Sequence, residues 1–335
     1  MIEVEILSEL VSIIIPTFNR PKYFQIALES ALNQTYKNFE IFITDNSTND
    51  DTEILIQDYL KKFSNIKYFR HKNFTASDNW NFARNYNNPD AKFVNWLLDD
   101  DIFYARKLEI MVAIMEENPD CSIVSSARNT IDEFGNITGQ MPNIKDFPML
   151  KSSGKISGES AGKLLLSTGH NYIGEPTTAL IRKSCLRDND LCWTADEKGF
   201  FALIDVSTWC QLLSAGNLFW IGDNILSAFR RHAGQATNWI DSGANFEVSW
   251  AKIFKTAWDK KIFITDERDL RKKIIGWIYS ADKRLAEAFQ KNYHDESITT
   301  LEKTMAAMIQ ALYNGYEINL PARNFNKNDG IKFLS

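Results

Sequence analysis

Short apolar runs alternate with amphipathic segments over about the first 125 residues, and this alternation constrains the fold more than any other feature. The first run, Val11–Pro16, reads VSIIIP, and such a continuous β-branched run is typical of a strand buried on both faces of a parallel sheet. Pro21 then opens a helix-like segment to about Gln34, and Phe39–Thr44 is the next predicted strand. This order predicts an α/β fold with a doubly wound, mostly parallel sheet.

The pattern continues along the chain and then changes character. Further helices are predicted over Asp50–Phe63, Ala76–Tyr86, Arg106–Met115, Gly158–Ser167 and Ala202–Ser214. Further strands are predicted over Ile66–Phe69, Lys92–Leu98, Cys121–Ser125 and Thr177–Ile181, with a strand and turn over Asn217–Phe229. Residues 127–158 are rich in turn formers and predict a flexible or hairpin region. After about residue 243 we expect three or more amphipathic helices and a loose tail of about 15 residues.

Composition excludes several classes of protein. The net charge of −5 and the pI near 5.6 give no electrostatic case for nucleic-acid binding, so an anionic ligand would need a local positive group such as a metal ion. Cys121, Cys185, Cys192 and Cys210 form no CxxC pair, which predicts reduced thiols and a cytoplasmic protein. The N-terminus lacks the basic region of a signal peptide, and no apolar stretch approaches the roughly 20 residues that span a bilayer. We therefore expect a soluble protein that is at most peripheral to a membrane.

Three polar clusters each follow a predicted strand directly: Thr17–Arg20, Asp45–Thr48 and Asp99–Asp101. In an open α/β sheet the carboxyl ends of such strands meet at one edge, where ligands bind. No GxGxxG follows the first strand and no P-loop motif occurs, so the usual glycine-rich nucleotide sites are disfavoured. The three aspartates repel one another, and either a bound cation or a solvated, helix-capping turn would explain them.

Four segments in this order and spacing resemble the family-2 glycosyltransferases: VSIIIPTFNR, FEIFITDNST, LLDDDIFYARKLE and IDVSTWCQLLSAG. The resemblance covers roughly residues 10–235. It implies the GT-A fold, with a nucleotide-binding part over about 10–125, an acceptor part over about 126–240 and a helical extension over 241–335. It also implies an inverting enzyme that uses nucleotide-diphosphate sugars.

The family assigns roles to the first three segments. The PTFNR match implies nucleotide contacts by Pro16, Thr17, Phe18, Asn19 and Arg20, and Asp45 matches an acid that binds the base. Asn73 and Asn79 match a further nucleotide-side motif, in which Thr75 replaces a glycine. The alignment of the acidic triplet implies Asp100 as metal ligand, Asp99 near the ribose and Asp101 in support.

The resemblance also implies roles for later positions, including the group that acts as base. Asp205 matches the second residue of an E-D-x-D pattern, the general base, whereas Ile204 stands where the family has glutamate. The FRRHAGQ segment implies phosphate or metal contacts by Arg230, Arg231 or His232. Glu175, in GEPTTALIR, and Trp209 are assigned to the acceptor side.

The resemblance therefore implies a Mn²⁺ or Mg²⁺ ion, a sugar-nucleotide donor, with a UDP-sugar favoured, and a glycan or glycoconjugate acceptor at the cell surface. A carboxylate base and a cation at the diphosphate are what such a transfer needs chemically. The C-terminal helices could serve peripheral membrane contact or self-association. A non-catalytic scaffold subunit is the alternative, and a nucleotidyltransferase ranks lower because PTFNRPK lacks glycines.

Simpler explanations remain open at this point. Asp45 in DNST could form an Asx-turn, and Asp205 could be an acid at a helix N-terminus. His232 could be an ordinary hydrogen-bonded histidine.

Overall fold

A computed structural model of the protein describes residues 9–142, 147–186, 202–235 and 240–321. Residues 1–8, Cys192 and most of the predicted tail lie outside these ranges.

The first half of the chain has the predicted alternation of strands and helices. In chain order it contains β1 (Leu10–Thr17), α1 (Pro21–Leu32), β2 (Phe39–Asp45), α2 (Asp51–Lys62), β3 (Ile66–Arg70), α3 (Ala76–Arg84), β4 (Ala91–Trp96), β5 (Ile102–Phe103), α4 (Lys107–Glu117) and β6 (Cys121–Ser126). Each predicted element up to residue 125 is present, with bounds that differ by a few residues at most.

The second half mixes short strands with longer helices. It contains β7 (Arg128–Ile131), β8 (Ile137–Met141), β9 (Gly154–Ile156), α5 (Gly158–Thr168), β10 (Leu180–Arg182), α6 (Ile204–Ala215), β11 (Asn217–Ile221), β12 (Ser227–Arg230), α7 (Ile240–Asp259), α8 (Glu267–Gln290) and α9 (Glu296–Ala311). The hairpin expected within 127–158 is the antiparallel pair β7–β8. The strand predicted over Thr177–Ile181 begins too early, because Pro176–Thr178 form a 3₁₀ turn before β10.

The described strands form two sheets. The larger has the order β3-β2-β1-β4-β10-β6-β11-β9, with β3, β2, β1 and β4 mutually parallel. The smaller has the order β5-β12-β7-β8. The fold is thus a mixed α/β fold around a mostly parallel central sheet, as predicted.

Strand β1 shows why its sequence is continuously apolar. Val11, Ile13 and Ile15 pack in the core formed with α1 and α4, whereas Ile14 faces the opposite side of the sheet and packs near α3. Alternate side chains of a strand point to opposite faces, so burial on both faces requires apolar residues at every position.

The C-terminal helices share a core with the preceding part of the chain. One apolar cluster joins residues of β6, α5 and α6 to residues of α7, α8 and α9, including Trp209, Trp277 and Leu301. The helical extension is therefore packed onto the α/β part. Its treatment as a separate unit from residue 241 stays a prediction. Within the described residues, no helix has both the length and the apolar content to cross a membrane.

Candidate active site

The three predicted polar clusters meet at one edge of the larger sheet. Strands β1 and β2 are parallel neighbours in a register that pairs Thr17 with Asp45. Strand β4 lies on the other side of β1 and ends at Trp96, three residues before the acidic triplet. Parallel strands end at a common edge, which is why segments far apart in sequence converge there.

Asp99 is held by the segment after β1. Its carboxylate accepts hydrogen bonds from Thr17 Oγ1 at 2.9 Å and from the backbone N–H of Phe18 at 3.2 Å, and Arg20 Nη1 lies 3.2 Å away. Burial, opposed by Arg20 and assisted by the adjacent Asp100 carboxylate, raises the pKa of Asp99 to about 6. The PTFNR segment and the acidic triplet therefore form one site.

Asp100 links this site to the segment after β12. Its Oδ2 atom lies 3.0 Å from both Arg20 Nη1 and His232 Nε2. Arg20 Nη2 also donates to the carbonyl of Gly234 at 2.8 Å, and the Tyr23 ring packs 5.0 Å from that of His232. The predicted partners Asp100 and His232 are thus brought into contact.

Asp101 and Arg230 form the buried part of this site. Asp101 is fully buried and accepts hydrogen bonds from Thr177 Oγ1 at 2.6 Å and the backbone N–H of Arg230 at 3.0 Å. Burial, with the nearby Asp100 and Glu175 carboxylates, raises the pKa of Asp101 well above its usual range.

The Arg230 guanidinium links two backbone segments by hydrogen bonds. The residue is 2% exposed, and its side chain donates to the carbonyls of Asp100, Asp132 and Glu133 at 2.8–3.2 Å. Arg231, also predicted on the phosphate side, is exposed, and its Nη2 lies 3.6 Å from the sulfur of Met141. Of the two arginines, only Arg231 has the exposure that a phosphate contact requires.

Asp45 is fully buried and held by three protein donors. The Ser47 backbone N–H donates to Oδ1 at 2.7 Å, which is the Asx-turn geometry, and Tyr68 Oη and Arg70 Nη1 contact Oδ2 at 2.7 and 3.1 Å. Sequence reasoning missed Arg70, although the pairing of β2 with β3 places it directly opposite Asp45. Contact of Asp45 with a nucleobase stays a prediction.

Helix α3 accounts for the departure at Thr75. Thr75 has φ −69° and caps α3 by accepting a hydrogen bond from the Asp78 N–H, and the Asp78 carboxylate bonds back to the Thr75 N–H. This conformation is open to any residue, so the glycine of the family pattern is not needed. Asn79 bonds both the hydroxyl and the carbonyl of Thr44 at the end of β2, whereas Asn73 is exposed.

Asp205 lies in the first turn of α6 and is partly buried. Its Oδ1 atom accepts a hydrogen bond from the Val206 N–H at 2.8 Å, and its Oδ2 atom accepts one from Asn171 Nδ2 at 2.7 Å. Burial raises the pKa of Asp205 to about 6. A carboxylate with that pKa is largely ionised at neutral pH and still binds a proton readily, as a general base requires.

A cavity of about 400 Å³ opens beside Asp205. Its walls include Ile204, Thr208 and Trp209 of α6, together with Trp80 and Trp96, whose rings stack at 4.8 Å. Polar side chains, among them Arg84, Asn85 and Lys183, also line it. Aromatic walls combined with convergent polar groups are typical of a small-molecule site. Trp209 is almost fully buried, and its indole N–H donates to the Gly174 carbonyl at 2.9 Å.

Comparison with known proteins identifies the family. The model of glycosyl transferase family 2 matches residues 12–188, more than half of the chain. The chain belongs to this family. It is similar to an uncharacterised glycosyltransferase of Rickettsia typhi, with 28% identity over 255 residues that cover 74% of this chain and 72% of the relative. It is also similar to the GalNAc(5)-diNAcBac-PP-undecaprenol β-1,3-glucosyltransferase of Campylobacter jejuni, with 31% identity over 153 residues that cover 43% of this chain and 49% of the relative.

Solved structures of glycosyltransferases share the fold. S. aureus TarS in complex with UDP-GlcNAc matches with a TM-score of 0.52 at 16% identity over 96% of each chain. The mannosyltransferase PcManGT from Pyrobaculum calidifontis, in complex with GDP-Man and Mn²⁺, matches with a TM-score of 0.51 at 14% identity, covering 91% of this chain and 81% of that one. At these identities the likeness concerns the fold alone. The protein is thus a family 2 glycosyltransferase with a GT-A-like fold.

Over the residues that the structure describes, this glycosyltransferase offers few protein ligands for a metal ion. In the described part of the chain, no three His, Cys, Asp or Glu side chains gather as a metal site. Asp100 Oδ2 and His232 Nε2 nevertheless lie 3.0 Å apart. Cations at phosphate sites usually take one or two protein ligands and complete their coordination with phosphate oxygens and water. These two residues therefore fit a cation that binds together with a diphosphate.

Proposed function

We propose that this glycosyltransferase moves a sugar from a nucleotide-diphosphate sugar, with UDP-sugars favoured, to a hydroxyl group of a glycan acceptor, with inversion at the anomeric carbon. The observation that carries the proposal is the Asp205 carboxylate. It has a pKa of about 6 and forms part of the wall of an aromatic-lined cavity. General-base catalysis is most effective when the pKa of the base lies near the working pH.

The chemistry assigns a task to each group. An acceptor hydroxyl in the cavity attacks the anomeric carbon on the face opposite the leaving diphosphate, and Asp205 takes the hydroxyl proton. Asn171 and the Val206 N–H hold the carboxylate so that one orientation is presented to the acceptor. Thr17 and Arg20, which fix Asp99, place that carboxylate for contact with the ribose.

A divalent cation, Mn²⁺ or Mg²⁺, would be held by Asp100 and His232 and, when bound, would neutralise charge on the diphosphate. The Mn²⁺ in the PcManGT structure and the UDP-GlcNAc in the TarS structure support a metal-assisted donor site of this kind.

The acceptor proposal has its own support. The Campylobacter relative is named for transfer to a glycan on a diphosphate-linked lipid, undecaprenol. We infer an acceptor of the same class here, a glycan carried on a membrane lipid, which fits a cytoplasmic enzyme that works at the membrane surface. The nucleotide part over 10–125 would then bind the donor and the 126–240 part the acceptor. The scaffold alternative loses one of its two supports, because Thr75 caps α3 in an ordinary conformation.

Binding and turnover with a panel of UDP-, GDP- and dTDP-sugars, with Mn²⁺ or Mg²⁺, test the proposal. We expect Asp205→Asn to keep donor binding and to lose transfer by a factor of about 10²–10⁴. The matched control is Asp58→Asn, which changes an exposed carboxylate on α2. Retained turnover in Asp205→Asn would remove that residue as the base, and no binding of any donor would remove the donor proposal.

A further inference from the structure

The base site lacks an acid that the family pattern contains. Ile204 replaces the glutamate that precedes the base, and its apolar side chain lines the cavity beside Asp205. The immediate neighbour of the base in the chain therefore supplies no negative charge. Another carboxylate would have to come from a different element of the fold.

The segment before the 3₁₀ turn at Pro176–Thr178 is bound directly to the base. Asn171 Nδ2 donates to Asp205 Oδ2 at 2.7 Å and to the Gly174 carbonyl at 2.9 Å, and the Gly174 N–H donates back to Asn171 Oδ1 at 3.0 Å. Trp209, on the same helix as Asp205, donates to the same carbonyl at 2.9 Å. Gly174 has φ +110°, which a side chain rarely tolerates. The next residue, Glu175, is thereby fixed close to the base.

The Glu175 carboxylate is buried in an unusual way. Its side chain is 12% exposed, and Oε2 lies 2.9 Å from Arg128 Nε, an ion pair without hydrogen-bond alignment. Its Oε1 atom is buried and accepts no hydrogen bond from the described residues. A buried carboxylate oxygen without a donor is costly, because its lost hydration is not replaced. Glutamate at this position therefore compensates the buried Arg128 guanidinium with one oxygen and leaves the other oxygen without a donor.

We propose that Glu175 supplies the second carboxylate of the base site, in place of the acid that Ile204 replaces, and that Arg128 sets how much of its charge the base experiences. This assignment rests on the proposed role of Asp205. Glu175 acts through the base and without substrate contact, so it is a positioning residue. Its negative charge makes Asp205 bind a proton more strongly, in the same direction as burial does.

The other charged groups around the pair can be named. Arg84 of α3 and Lys183 line the same cavity as Asp205. Behind Glu175 lie Arg128, the buried Lys107 of α4 and the Asp101 carboxylate. The Lys107 ammonium donates to the Thr178 carbonyl at 2.8 Å, on the same 3₁₀ turn that follows Glu175. Two cations and one further carboxylate thus surround Glu175, and removal of Glu175 alone leaves the base in a more positive environment.

The test compares Glu175→Gln with the double variant Glu175→Gln/Ile204→Glu. The matched control is Glu159→Gln, which changes an exposed carboxylate on α5 that pairs with Lys163. Two quantities are measured: the pH dependence of kcat between pH 4.5 and 8, and the ¹³C carboxyl titration of Asp205 in substrate-free protein, assigned by difference from Asp205→Asn. Thermal unfolding shows that each variant is folded.

In Glu175→Gln we expect two pKa values to fall by about one unit. One is the pKa of the acid limb of the kcat profile, and the other is the pKa of the Asp205 titration. If the limb moves from about 6 to about 5, activity at pH 5.5 relative to the plateau rises about threefold. The double variant is expected to restore the limb, and the control to leave it unchanged.

Two results would overturn the inference: an unshifted Asp205 titration in Glu175→Gln, or a change confined to the acceptor KM, which would make Glu175 an acceptor contact. Failure of the proposed function is distinguishable, because it appears as turnover by Asp205→Asn. The NMR titration still tests Glu175 in that case.

Discussion

Asp205→Asn is expected to make the protein more stable at neutral pH while it removes activity. Burial raises the pKa of the Asp205 carboxyl from 3.8 to about 6, so the ionised form is disfavoured in the folded protein. A shift of this size corresponds to about 3 kcal/mol at high pH, an upper limit because the side chain is only partly buried. The asparagine side chain keeps one of the two hydrogen bonds that the carboxylate accepts. Its NH₂ group then faces the NH₂ group of Asn171, which costs about 1 kcal/mol of stability. The net gain is therefore roughly 1–2 kcal/mol at pH 8.

The sign of the pH dependence follows from the direction of the shift. An acid whose pKa is raised by folding binds more protons in the folded state, so its contribution favours the folded protein at low pH and is lost as pH rises through about 6. With a pKa of 3.8 unfolded and about 6 folded, the wild type loses about 1.4 kcal/mol relative to Asp205→Asn between pH 5 and pH 8. For a chain of 335 residues that difference is about 2 °C in Tm.

The assay is thermal unfolding of both proteins at constant ionic strength, at half-unit steps from pH 5 to pH 8. Asp58→Asn serves as control, since the Asp58 carboxyl is exposed and its pKa is lowered by Lys61, so no gain in stability is expected. A Tm difference between wild type and Asp205→Asn that stays constant across this range would refute the argument that the base is held in a disfavoured charged state.

Four further outcomes test other parts of the site. Burial lowers the pKa of Lys107 to about 7, so the wild type should gain roughly 2 kcal/mol in urea unfolding between pH 7 and pH 9, and Lys107→Met should lose this dependence. Thr177→Val removes the donor to Asp101 and should cost about 1–3 kcal/mol of unfolding free energy. Arg230→Met removes three bonds to backbone carbonyls, of which the one to Asp100 is buried, and should cost roughly 3 kcal/mol by the same measurement. Asp100→Ala should abolish the effect of Mn²⁺ on the thermal shift produced by UDP, and EDTA should do the same to the wild type.

Most of the α/β framework could be predicted from the sequence because its signals are local. In β1 every residue from Val11 to Ile15 is buried, so a short apolar run alone indicates a central strand. The convergence of the polar clusters could also be predicted, since the loops that follow parallel strands lie at one edge of the sheet. The 3₁₀ turn at Pro176–Thr178 could not be predicted, because tertiary hydrogen bonds of Thr177 with Asp101 and with the Leu98 N–H, not local propensity, fix its shape.

The contacts that set the charge of the site could not be predicted in this way. Asp100 and Arg230 are separated by 130 positions, and the Thr177 hydroxyl reaches Asp101 across 76. No periodicity relates residues so far apart, and a sequence pattern does not show whether an arginine side chain turns inward or toward solvent. Arg230 and Arg231 are chemically identical neighbours, yet one is 2% exposed and the other lies at the surface.

The adjacent carboxylates of the acidic triplet differ in their burial and in their hydrogen-bond partners. Both oxygens of Asp101 accept hydrogen bonds, from Thr177 and from the Arg230 backbone, and the residue is fully buried, so a cation at Asp101 would have to enter the protein interior. The Asp100 carboxylate instead contacts the side chains of Arg20 and His232. These side chains can move without disturbing the backbone of a strand. A cation at Asp100 would thus require less rearrangement than one at Asp101. For this reason we propose Asp100 as the metal ligand, with Asp101 in support.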